Sequence, residues 1–359
     1  MKPSFNIGSV TVDPATVLAP MEGITDRPFR RMIRTLGGCG LTVTEFISSD
    51  QINKRSKRAW KMAEFDADEH PVSIQIYGRD PAKIADAARI CEDLGADVVD
   101  LNMGCPSKRV TGGQSGCALM KEPALAQSIF DAIYGAIKIP MTVKMRLGWD
   151  TDLLNAPLVA RMAEDSGAQM VTVHGRTRMQ MYRGNADWGA IRTVSESVSI
   201  PVLVNGDILT VEDAVSALEQ SGADGVMVGR GALRDPWILR RIGDHLAGLS
   251  PYEPTLAARE RHLMKYFDLL IEDVKSVRGA TGRMKKVTGY FTRGLPYGAE
   301  LRQSVFHSHE VEPIRAAIRA WFRRLADEEI RDGFGRVHPD ATAGYTQGDA
   351  RTMTQRTVP

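Results

Sequence analysis

Three short segments repeat one another, and they constrain the architecture more than any other feature. Gly95-Ala96-Asp97-Val98-Val99, Gly167-Ala168-Gln169-Met170-Val171 and Gly222-Ala223-Asp224-Gly225-Val226 each close a helical pattern and open a β-branched run. Glycine suits the end of a helix because it enters the left-handed region at little steric cost. The same unit used three times predicts a chain that alternates helix and strand. Strands are predicted over residues 17–20, 41–45, 72–76, 98–102, 141–145, 170–174, 201–205 and 225–229. The clearest helix lies over 84–94, where Ile84, Ala87, Ala88 and Cys91 share one face. Eight strands with helices between them in roughly 230 residues predict an α/β fold, a (β/α)8 TIM barrel. A doubly wound open sheet is the competing topology. It wants a glycine-rich fingerprint after an early strand, and Pro20-Met21-Glu22-Gly23 is not one.

The alternation ends near Thr255. Residues 256–274 and 313–325 carry helical periodicity, strand signals vanish, and Pro251 and Pro254 mark a connection. Beyond Ile330 the chain is rich in Gly, Thr and Asp, with few large apolar residues. The expected division is a catalytic barrel over 1–250, a small all-helical C-terminal domain over 251–330 and a disordered tail over 331–359. With 359 residues, 43% of them hydrophobic, the chain can bury a core without disulfides or a structural metal. Cys39, Cys91, Cys105 and Cys117 form no CxxC pair and no metal-ligand pattern, so no metal is expected. No signal peptide and no apolar run of about 20 residues is present, which predicts a protein of the reducing cytoplasm without a membrane partner.

The net charge of +2 says little, but its distribution is uneven. Residues 259–324 hold 14 Lys/Arg against 7 Asp/Glu, and Lys54, Arg55, Lys57, Arg58 and Lys61 form a second basic cluster. Two readings stand: solvated helix faces, or a surface for a phosphate backbone.

In a barrel the chemistry gathers where strands end. Those positions hold Gln75, Asn102, Lys144, His174, Asn205 and Gly229-Arg230. A buried Gln75 or His174 would need polar partners if its role were structural. Two glycine-containing loops, Asn205-Gly206-Asp207 and Gly229-Arg230-Gly231, follow the last two strands, where barrels often bind phosphate. The loop after the fourth strand reads Asn102-Met103-Gly104-Cys105-Pro106-Ser107. Its Cys105 could be a nucleophile, a general acid or an inert thiol.

Taken together these residues resemble the tRNA-dihydrouridine synthase family, closest to its bacterial B-type branch. The matching motifs are Ala19-Pro20-Met21-Glu22-Gly23-Ile24-Thr25-Asp26, Asn102-Met103-Gly104-Cys105-Pro106 and His174-Gly175-Arg176-Thr177-Arg178, then Tyr182 and Ala186-Asp187-Trp188. Asn205-Gly206-Asp207-Ile208 and Gly229-Arg230-Gly231-Ala232 complete them, in family order over residues 10–325. The resemblance implies a monomeric oxidoreductase with FMN, reduced by NADPH or NADH, acting on the C5–C6 double bond of uridine in tRNA. It implies that hydride passes from flavin N5 to C6 while Cys105 protonates C5. Pro20, Met21 and Glu22 are then expected to line the flavin, with Gln75 and Lys144 on its rings and His174 beside it. Asn205, Gly206, Asp207, Gly229 and Arg230 are expected to hold its ribityl and phosphate groups. Asn102 and Arg176 are expected near the substrate base, and Arg178, Lys285 and Lys286 on the RNA. One departure stands out: the family often has Lys-His where this chain has Lys286-Val287, although Gly294-Leu295-Pro296 is retained. Rival readings are an FMN barrel of the dihydroorotate dehydrogenase kind acting on a free pyrimidine, a synthase acting on ribosomal RNA, and a non-catalytic RNA-binding barrel.

Overall fold

The computed structural model describes residues 1–274 and 276–327. The expected tail over 331–359 lies outside the described residues. The chain opens with an antiparallel hairpin, β1 (Phe5–Ile7) and β2 (Val10–Val12). Nine strands follow: β3 (Thr16–Leu18), β4 (Leu41–Val43), β5 (Ile47–Ser48), β6 (Val72–Tyr77), β7 (Val98–Met103), β8 (Met141–Arg146), β9 (Val171–His174), β10 (Val202–Asn205) and β11 (Gly225–Val228). Eight of them close a parallel ring. β11 pairs with β3, β3 with β4, β4 with β6, and β6 to β11 pair in succession. Closure excludes the open doubly wound sheet, because the ring has no edge. β5 is a two-residue addition beside the end of β6.

The repeated junctions form as their sequence demands. Gly95, Gly167 and Gly222 lie at φ +90°, +90° and +65°. The aspartates of the first and third repeats add a bond the pattern did not foretell. Asp97 Oδ2 accepts from the N–H of Val72 at 2.7 Å, and Asp224 Oδ2 accepts from that of Val202 at 3.0 Å. Each aspartate therefore ties its own strand to the start of the strand beside it.

Side chains alternate across the ring, and the two faces differ. Outward residues such as Val99, Leu101, Val143 and Val173 pack under the surrounding helices. The inward face is layered. Val17, Leu41, Val98, Met170, Leu203 and Met227 form an apolar lower layer, joined by Phe5, Ile7 and Val12 of the hairpin. Gly225 makes room for this floor: a Cβ there would stand 2.9 Å from the Phe5 ring and 2.7 Å from the Ala15 carbonyl. Above it the inward positions are polar: Gln75, Asp100, Asn102, Thr142, Lys144, Arg146, Thr172, His174 and Asn205. Register places Gln75 beside Asp100, Asp100 beside Thr142, Asn102 beside Lys144, and His174 between Arg146 and Asn205.

Beyond the barrel come four helices, Leu256–Asp273, Val277–Phe291, Gly298–His307 and Val311–Asp327. Sequence periodicity identifies the first and last. The second carries Gly279, Gly282 and Gly289, each a weak helix former, and tertiary packing overrides that preference. The Phe29 and Tyr266 rings meet edge to face across the seam at 6.0 Å. Arg283 pairs with Asp26, and Lys286 Nζ donates to the Gly23 carbonyl at 3.1 Å. Among the described residues, no helix is long and apolar enough to cross a membrane.

Candidate active site

Because β6, β7 and β8 are neighbours in register, their inward polar residues can join directly. Thr142 Oγ1 donates to Asp100 Oδ1 at 2.6 Å, and Gln75 Nε2 donates to Asp100 Oδ2 at 2.5 Å. Gln75 Oε1 accepts from Asn102 Nδ2 at 2.7 Å. Asn102 Oδ1 in turn accepts the backbone N–H groups of Gly104 and Cys105 at 3.1 and 2.9 Å. The Cys105 loop is braced from a second side. Arg146 Nε donates to the Gly104 carbonyl at 2.8 Å, and its Nη1 donates to the Thr177 and Met181 carbonyls at 2.9 and 2.8 Å. Cys39, Cys91 and Cys117 are buried, whereas Cys105 is half-buried, with Sγ 3.4 Å from Ser107 Oγ.

The opposite side of the mouth is organised around cations. Lys144 Nζ donates to Asn205 Oδ1 at 2.9 Å, and Asn205 Nδ2 donates to the Met227 carbonyl at 2.8 Å. Burial, together with the nearby Arg146, pulls the Lys144 ammonium down to about 8. Burial first, then Arg146, Lys144, Arg176 and Arg230, holds His174 well below the usual histidine range, so its ring is neutral. Its Nδ1 is buried without a hydrogen-bond partner. Gly206 sits at φ +115°, where a Cβ would stand 2.8 Å from the Ala186 Cβ and 3.3 Å from His174 Cε1. At the β11–β3 seam, a Cβ on Gly229 would touch Met21 Sδ at 3.4 Å, so the loops carrying Pro20-Met21 and Gly229-Arg230 are adjacent. Glu22 is exposed and pairs with Arg109 of the Cys105 loop.

Several expected residues converge, and several also hold protein partners. Asn102, Cys105, Lys144, His174, Asn205, Gly206 and Arg230 surround one mouth. Gln75 is 0% exposed, and each end of its amide holds a protein partner, Asp100 on one side and Asn102 on the other. Arg176, expected near the substrate base, is 2% exposed. Its guanidinium grips the Asp207 carboxylate with two nitrogens and donates to the Arg183 and Gly184 carbonyls. It fastens the loop after β9 to the loop after β10. Asp207, expected among the residues that hold the ribityl and phosphate groups, pairs with Arg176 and with Arg230, the latter at 2.8 Å. It thereby orients the Arg230 guanidinium. Arg178 lies half-buried over the Trp149 ring at 4.8 Å. Lys285 and Lys286 donate to the Phe306 and Gly23 carbonyls, which places Lys286 on the seam between helices and barrel.

Arg146, Asp100 and Thr142 carry no role in the sequence reading. Their signal was present: β7 and β8 alternate apolar and polar residues, and the polar ones face inward. That reverses the usual pattern of a buried strand, and a polar barrel interior needs a polar occupant.

The fit to a flavin mononucleotide can be judged from what the site leaves unused. The mouth offers an unpartnered Nδ1 of a neutral imidazole, and an unpartnered Thr172 Oγ1 buried beneath it. Lys144, Arg146, Arg176 and Arg230 supply positive charge, and the Gly206 and Gly229 positions have no side chain to obstruct approach. A flat heteroaromatic ring with an anionic tail suits that set.

A family model described as dihydrouridine synthase matches residues 17–324. A probable tRNA-dihydrouridine synthase of Rickettsia conorii is 44% identical over 303 residues, covering 84% of this chain and 91% of its own. One from Rhodobacter capsulatus is 43% identical over 327 residues, covering 89% and 98%. The tRNA-dihydrouridine synthase B of Pseudomonas aeruginosa is 38% identical over 322 residues, covering 88% and 95%. Among solved structures, an old yellow enzyme homologue from Zymomonas mobilis superposes with a TM-score of 0.50 at 13% identity, over 72% of this chain and 96% of that one, which is a likeness of fold. With the barrel, the Cys105 loop and these relatives in view, the chain belongs to the dihydrouridine synthase family, in its bacterial B-type branch.

Proposed function

We propose that this protein reduces the C5–C6 double bond of uridine in tRNA, with flavin mononucleotide as cofactor, NADPH as reductant and Cys105 as proton donor. The observation that carries the reading is the pairing of two unlike walls. A thiol on a doubly braced loop faces a cation-rich, partly unsatisfied polar layer across one barrel mouth. When bound, the flavin supplies the hydride that reaches C6 of the uracil ring.

The chain's own residues supply the rest. Asn102 and Arg146 fix the backbone of the Cys105 loop, which sets where Sγ stands. From there the Cys105 thiol delivers its proton to C5 and leaves as thiolate, so one proton and one hydride complete the reduction. Lys144, held on Asn205, places positive charge where a reduced flavin gathers negative charge. His174, kept neutral, meets a ligand as a hydrogen-bonding ring without adding a further cation. Pro20, Met21 and Gly229 would pack against the ring system and its tail. Arg230, aimed by Asp207, would pair with the phosphate. The target base must leave its stack to reach a mouth at this depth.

The decisive experiment maps dihydrouridine in tRNA from a strain lacking this protein, alongside the purified protein with a tRNA transcript or free uridine. Lost tRNA sites and turnover on the transcript alone are expected. Turnover on free uridine alone, or lost sites only in ribosomal RNA, would sink the proposal.

A further inference from the structure

We infer that Asp100, which no reading of the reaction has so far required, is a positioning residue: it sets the direction of the hydrogen bonds that hold Cys105. This rests on the proposed reduction of uridine. What each group can donate or accept fixes the order of the bonds. An ionised carboxylate only accepts, and an amide has one donating and one accepting end. Two donors, Thr142 Oγ1 and Gln75 Nε2, point at Asp100. With its NH2 committed downward, Gln75 must present Oε1 to Asn102. Asn102 must then give its NH2 to Gln75 and turn Oδ1 toward the N–H groups of Gly104 and Cys105. Reversing either amide would set acceptor against acceptor at one end and donor against donor at the other. All four residues are at most 4% exposed, so water cannot substitute. Thus the sign of one buried group is passed through two amides to the loop that carries the thiol.

Polarity can be released and restored by near-isosteric changes. Asp100→Asn would not suffice, because its oxygen could still accept from Gln75 while its NH2 donates to the Thr142 hydroxyl. Asp100→Leu removes the acceptor, so Gln75 and then Asn102 are free to flip, which turns an NH2 against the Cys105 N–H. Adding Gln75→Glu returns a carboxylate that accepts from Asn102 whichever way it turns, and Asn102 recovers its native orientation. The full-length, flavin-loaded protein is measured three ways: dihydrouridine formation on a tRNA transcript, reduction of bound flavin by NADPH, and iodoacetamide alkylation of Cys105 by mass spectrometry. The buried Cys39, Cys91 and Cys117 serve as internal references.

Asp100→Leu is expected to lower kcat on the order of 100-fold, the cost of a misplaced reacting group, with KM for tRNA and flavin reduction unchanged. Its Cys105 alkylation rate is expected to shift. The double variant is expected to recover most of the activity and the native alkylation rate. Native turnover by Asp100→Leu, or a double variant no better than the single one, would overturn the inference. Should Asp100→Leu fail to fold, the double variant alone decides in the same way. Should the native protein form no dihydrouridine, the proposed reaction fails, while the alkylation comparison still decides the role of Asp100.

Discussion

The barrel mouth and the basic outer surface both carry clusters of cations, but they hold them in opposite ways. At the mouth, Lys144, Arg146 and Arg176 are each at most 9% exposed and hold named acceptors. On the outside, Lys54, Arg55, Lys57 and Arg58 are exposed around the helix Lys57–Ala63. The Lys61 of that helix reaches Asp273, the last residue of the first C-terminal helix, at 2.5 Å. Burying a charge without a partner is costly, so each inner cation is fixed by its partners and serves one purpose. An exposed charge loses little water and can exchange one partner for another. Inner substitutions should therefore break a specific step, and outer ones should erode affinity by degrees.

The largest effect is expected at the thiol. Cys105→Ala should retain flavin and tRNA binding but lower dihydrouridine formation by about 10²- to 10⁴-fold, the usual contribution of a positioned acid. Product quantified by mass spectrometry with undiminished yield would remove Cys105 from the reaction. Next comes the clamp between the β9 and β10 loops. Arg176→Met leaves Asp207 short of its buried partner and should cost about 3 kcal/mol in urea unfolding. A loss confined to substrate affinity, with stability intact, would return Arg176 to the substrate.

A smaller effect concerns pH. An unfolded chain protonates histidine as pH falls through 6.5, whereas folded His174 stays neutral well below that value. The unfolded state then binds the extra proton, and flavin-free protein should lose stability below pH 6.5, by at most about 1.4 kcal/mol per pH unit from this group. His174→Asn should lack that increment, which then appears as the difference between the two stability–pH curves. An identical acid limb in both proteins would mean that His174 is not held neutral.

The smallest effects belong outside. Lys57→Ala and Arg58→Ala should each reduce the slope of log affinity for tRNA against log salt by about one. Lys286→Ala should reduce it less, because that ammonium is engaged by the Gly23 carbonyl. Equal slopes for all three would erase the distinction between seam and surface.

The same contrast explains what could be read from the sequence. The ring of strands was legible because its glycine junctions repeat, and the mouth because strand ends in a barrel must converge. Lys144, His174, Asn205 and Cys105 follow from that rule. What position alone does not reveal is where a side chain's hydrogen bonds go. Gln75, Arg176 and Asp207 occupy the expected places, and their bonds to Asp100 and Asn102, to the Gly184 carbonyl and to Arg230 were not legible there. Asp100 was hidden for the converse reason, since it lies one pleat below the strand end and only register brings it beside Thr142 and Gln75. The helices at Val277–Phe291 and Gly298–His307 escaped because their stability comes from packing on neighbours more than from their own residues.

The hairpin of β1 and β2 has a consequence for the order of events. By packing Phe5, Ile7 and Val12 into the lower layer, it gives the barrel a floor. On the proposed chemistry, a dinucleotide reductant and a folded RNA would then both enter from the mouth above that floor. They would alternate: the first visitor would leave its electrons behind and depart before the second arrives. A flavin held there would be the memory that the first visit took place, and the two substrates would never meet.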